Sequence, residues 1–141
     1  MDQIEALLKK QCYIIDILPK KVPADSKGSF FDVEAYFSDH NRQYVFQNKF
    51  TAIILKLMCY YPIAVFSYDN YRLIRYPSPQ TVVDLIAHAK NTLGILFGEN
   101  TLFLFEKDGL NISVYNPNHD MQELITSLAQ AEGLFWRKSE Q

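Results

Sequence analysis

The sequence predicts an α+β domain: a mostly antiparallel sheet formed by two ββα(β) units, with N-terminal helices packed on it. Three observations carry that prediction. The second half holds two β-hairpin signals, each hairpin is followed by a helix with an apolar stripe, and the first 61 residues read as helix-rich. A chain of 141 residues suits one domain, with the helix-rich half at 1–61 and the two candidate units at 62–98 and 101–137.

Asp2-x-x-Glu5 fits a capping box, and Ile4, Leu7 and Leu8 give the short helix it opens an apolar side. Cys12 to Leu18 is a β-branched run ended by Pro19, which predicts a strand. Residues 19–28 hold two prolines, a glycine and three lysines, and form a loop. Ser29-x-x-Asp32 is expected to cap a short helix carrying Phe30, Val33, Tyr36 and Phe37. After the polar residues 38–41 a longer helix runs to about Cys59. Its stripe is Phe46, Phe50, Ile53, Ile54 and Leu57, and Pro62 stops it by forcing Tyr61 out of helical dihedrals.

From Pro62 onward the grammar doubles. Ile63–Tyr68 and Tyr71–Tyr76 flank Asp69-Asn70, two residues that tolerate the positive φ of a tight hairpin turn. Ser78-Pro79 opens a helix with Val82, Leu85, Ile86, Ala89 and Leu93 inward, and Gly94 is expected to close it. Leu102–Lys107 and Leu110–Tyr115 then flank Asp108-Gly109. Asp120-x-x-Glu123 is expected to cap a helix that buries Met121, Leu124, Ile125 and Leu128 before Gly133. A shift of 39 residues lays Phe66 on Phe105, Asp69 on Asp108, Ile86 on Ile125 and Gly94 on Gly133 without a gap. That match suggests one unit used twice, although any two ββα units share such grammar.

Two-residue turns also set the register. Phe105 should oppose Ile112 and Phe103 should oppose Val114, which leaves Leu102, Leu104 and Tyr115 on the other face. The first hairpin divides into Phe66, Leu73 and Tyr71 against Ile63, Val65, Ile74 and Tyr76. A sheet with one wet face should alternate cleanly, and this one does not. Either helices cover both faces, or the face of Leu102, Leu104 and Tyr115 meets a second copy of the chain.

Composition excludes several classes. Twenty aromatics and a near-neutral balance of 14 basic and 16 acidic residues are wrong for disorder. A pI near 5.9 disfavours autonomous nucleic-acid binding, although Tyr71-Arg72-Leu73-Ile74-Arg75-Tyr76 interleaves aromatics and arginines. The most apolar stretch, Phe50 to Phe66, carries Lys56 and Pro62 and is too short to span a membrane. Lacking a basic leader and long apolar run at its start, and holding only Cys12 and Cys59, the chain reads as cytoplasmic with core or near-core thiols.

No catalytic set emerges. There is no G-x-S-x-G elbow, no phosphate-binding glycine motif and no C-x-x-C. Asp84 and His88, four apart on a helix, make half of a metal site at most, so no metal and no cofactor is expected. Asp39-His40 and His119-Asp120 fall at helix starts, where Asp is expected as a cap. One weaker arrangement is Lys20, Lys21 and Lys27 in the loop feeding Ser29, where a helix N-terminus could help hold an anion. The reading that follows is a small binding or adaptor domain for a protein partner, with self-association as one form. The alternative is a small enzyme or ligand sensor with a pocket between sheet and long helix.

Overall fold

The computed structural model describes residues 2–39, 42–107 and 109–139. Its elements run α1 (Asp2–Leu7), β1 (Cys12–Asp16), α2 (Phe30–Ser38), α3 (Gln43–Leu57), β2 (Ile63–Ser67) and β3 (Arg72–Arg75). They continue with α4 (Pro79–His88), β4 (Thr92–Phe97), β5 (Thr101–Glu106), β6 (Asn111–Tyr115), α5 (His119–Ala131) and β7 (Phe135–Lys138). The strands make one sheet in the order β3-β2-β4-β5-β6-β1-β7, every neighbour antiparallel. The chain is therefore a mixed α+β protein.

Side chains alternate across a strand, so each strand sends one set to each face. On the front face Ile15, Ile63, Val65, Ile95, Phe103 and Ile112 meet Phe50, Ile53, Ile54 and Leu57 of α3. Val82 and Ile86 of α4 join them, with Met121, Ile125 and Ala129 of α5. On the back face Phe66, Leu96 and Leu102 lie under Ile4 and Leu7 of α1. Helices therefore lie on both faces of the sheet, with the back covered only in part.

Both hairpin registers fall where the sequence places them: Phe66 opposes Leu73, and Phe105 opposes Ile112. The first turn differs in its conformation. Positive φ falls on Tyr71 (54°), after the Asp69-Asn70 pair, while the Asn70 side chain accepts from the Arg72 N–H at 3.1 Å. The second turn contains Asp108, which lies outside the described residues.

Helix termini show where local signals compete. Ser78 caps α4 as expected, accepting the Thr81 N–H at 3.1 Å with Pro79 behind it. Helix α5 is capped by Asn118, which accepts the Met121 N–H at 2.8 Å, so it starts before Asp120. Ser29 makes no side-chain capping bond to α2. Asp2's side chain lies outside the described residues, so the first capping box does too. Gly133 closes α5 at φ +74, the left-handed conformation that glycine adopts without strain. Gly94 does not close α4. That helix ends at His88, and Gly94 is a strand residue of β4, facing Leu104.

The 39-residue correspondence therefore holds for the helix faces and fails in the sheet. Val82 and Met121 are both buried in the front core, whereas Phe66 lies in the back cluster and Phe105 in the front one. Strand β4 returns beside β2, the first strand of its hairpin, but β7 pairs with β1 instead of β5. Among the described residues no helix is long and apolar enough to cross a membrane. Cys12 is buried and reduced, while Cys59 is exposed and so no core thiol.

Candidate functional site

Helix α2 is the least packed of the described helices. None of its residues is buried, Phe31 is 80% exposed, and Val33 and Tyr36 are exposed with it. The expected stripe of Phe30, Val33, Tyr36 and Phe37 is thus only half used. Phe37 packs edge-on against Phe46 at 5.0 Å between ring centroids, and Arg42 lies 4.0 Å above the Tyr36 ring. The first turn of α3 adds exposed Tyr44 and Val45. The segment FFDVEAYFS contains no lysine or arginine, and Asp32 and Glu34 have no ion-pair partner among the described residues.

Beside α2 lies a cleft of about 200 Å³. Lys20 and Lys21 line it together with Arg137, Asp16, Glu34 and Phe30. Lys27 and Ser29, the other half of the expected anion site, do not line this cleft and are exposed. Arg137 Nη2 donates to Asp16 Oδ2 at 2.9 Å, and Asp16 Oδ1 accepts the Ile17 N–H at 2.7 Å. Arg137 Nε is buried and has no acceptor among the described residues. The sequence gives no hint of Arg137, because it reaches Asp16 from 121 positions away through the pairing of β7 with β1.

The face of Leu102, Leu104 and Tyr115 is partly closed by the chain itself. Leu102 is fully buried under α1, and only Leu104 and Tyr115 reach the surface, half-buried. Burial pushes the Tyr115 phenol up, helped by the nearby Cys12 and Glu106.

A second cavity, about 310 Å³, is bordered by the β2–β3 hairpin and α4, not by the long helix α3 as expected for a ligand pocket. Ser67, Asp69, Thr81, Asp84 and His88 line it. His88 Nδ1 lies 2.9 Å from the Asp84 backbone carbonyl, while the Asp84 carboxylate accepts from Gln80 at 2.9 Å. Asp84 and His88 are therefore not joined side chain to side chain. No group of three His, Cys, Asp or Glu that could hold a metal ion occurs among the described residues. Asp69 is held below the usual aspartate range by the Lys90 N–H, with Asn91 donating as well.

The remaining singled-out residues are dispersed. Arg72 and Arg75 sit on the edge strand β3, between Tyr71 and Tyr76, both 78% exposed at positive φ. His119 pairs with Glu123 at 3.0 Å on the exposed side of α5. His40 lies outside the described residues. Comparison with protein-family models, curated proteins and solved structures finds no match to this chain.

Proposed function

We propose that the chain is a protein-binding domain and that α2 is its docking element. The observation that supports this reading is a nine-residue helix with no buried residue and an 80% exposed Phe31. A helix of that length is marginal in water on its own, so its persistence calls for apolar cover. Aromatic side chains supply a large share of interface energy, and an amphipathic helix laid into a groove is a recurrent recognition mode. Asp32 and Glu34, with no cation in the helix, favour a partner groove that is apolar at its floor and basic at its rim.

The experiment places a photo-crosslinking phenylalanine analogue at position 31, with the exposed position 130 of α5 as the control. A partner captured from position 31 and not from 130, when purified, should bind the unmodified chain. Phe31→Asp should weaken that binding about thirtyfold, as truncating an interface anchor does. Equal capture at both positions, or binding unchanged by Phe31→Asp, overturns the reading. Capture of the chain by itself assigns the surface to a second copy.

A further inference from the structure

We propose that the cleft beside α2 is a binding site for a small oxyanion, a phosphate or carboxylate group. The inference stands on the cleft alone and is independent of the docking reading. Its walls are apolar at Ile17, Val22, Phe30 and Leu110, and half of its polar residues are cationic. Three cations, Lys20, Lys21 and Arg137, face two carboxylates, Asp16 and Glu34, so the cleft carries a surplus of positive charge. Asp16 is already committed: one oxygen takes Arg137 and the other takes the Ile17 N–H.

The guanidinium is not satisfied in return. Its donors form a rigid planar fork suited to carboxylate and phosphate, and Nε lacks an acceptor. A buried charged donor without a partner is costly, so a small rotation of the Arg137 side chain, which lines the cleft, that brings Nε to an anion there gains the acceptor that the described residues do not supply. Arg137 therefore forms the floor, with its side chain only 16% exposed, while exposed Lys20 and Lys21 stand at the rim. A space of about 200 Å³ is below the range of drug-sized pockets, which limits the ligand to a small group or the anionic end of a larger one.

The test is a titration of the isotope-labelled full chain with inorganic phosphate, and separately with acetate, followed by amide chemical shifts. Sodium chloride at matched ionic strength is the reference. Saturable shifts centred on residues 16–22, Asn111 and Arg137 are expected with at least one of the two anions. Lys20→Ala with Lys21→Ala should weaken binding about tenfold through lost charge-assisted contacts. Arg137→Lys, which keeps the charge and removes the fork, should weaken it comparably. If Arg137→Lys fails to fold, the exposed lysine pair decides alone. Shifts that do not saturate, that chloride reproduces, or that are unchanged in the lysine double variant overturn the proposal.

Discussion

Helices α2 and α5 read alike in sequence and end differently in space. Each begins after a polar turn and carries apolar residues at helical spacing. Helix α5 buries Met121, Ile125 and Ala129 against the sheet, whereas α2 buries nothing. The difference lies in the room available. The front of the sheet is already tiled by α3, α4 and α5, and the chain from β1 reaches α2 through a loop of residues 17–29. Periodicity marks a face that prefers to leave water, but not whether the same chain has a surface left to receive it.

Substitutions sharpen that comparison. Ile125→Ala should cost about 2–5 kcal/mol, the range for deleting buried aliphatic volume, measured by urea unfolding. The matching change in α2, Phe31→Ala, should stay within about 0.5 kcal/mol, as exposed positions do. A loss above about 1 kcal/mol there would show that α2 is packed in solution. Leu102→Ala probes the other side of the sheet. It should cost about 2–3 kcal/mol, at the low end for a buried leucine because the short α1 can settle into the space.

A smaller effect separates the two glycines that the 39-residue shift superimposes. Gly133→Ala should cost about 1–2 kcal/mol, since φ +74 is strained for any residue with a Cβ. Gly94→Ala should fall within about 0.5 kcal/mol, because a Cβ there would meet Leu102 Cδ1 at 3.5 Å, ordinary contact distance. Equal costs would return the two positions to one structural role.

The smallest effect concerns acid. Asp69 has its pKa lowered by folding, so its contribution is present above the ordinary aspartate value and is lost as pH falls through the folded one. Melting temperatures followed downward from about pH 4 should therefore drop less steeply in Asp69→Asn than in the parent chain. Parallel acid profiles for the two chains would remove Asp69 from the account.

Legibility followed sequence distance. The hairpin registers were readable because a strand has period two, and the strands are joined by short turns that fix the pairing. Ser78 and Pro79 were readable because a cap acts within one helical turn. Gly94 misleads because glycine marks a helix end in sequence, yet it also sits in a strand interior such as β4, where nothing in its contacts demands it. The 39-residue shift is legible only in part: apolar residues coincide under it, yet Phe66 and Phe105 point to opposite sides of the sheet. The lysine loop is plain in the sequence, but Arg137, which lines the same cleft, arrives through a strand pairing that no local pattern announces.

That pairing has a consequence in time. Strand β1 sits between β6 and β7, so both its neighbours are synthesised roughly a hundred residues after it. Closing so long a loop comes late and slowly, since its entropy is lost before the contacts repay it. The hairpins of β2–β3 and β5–β6 close locally and can form first. On the growing chain Cys12–Asp16 therefore waits as an unpaired apolar strand. It is the first strand made, and only β7 is left to seat after it.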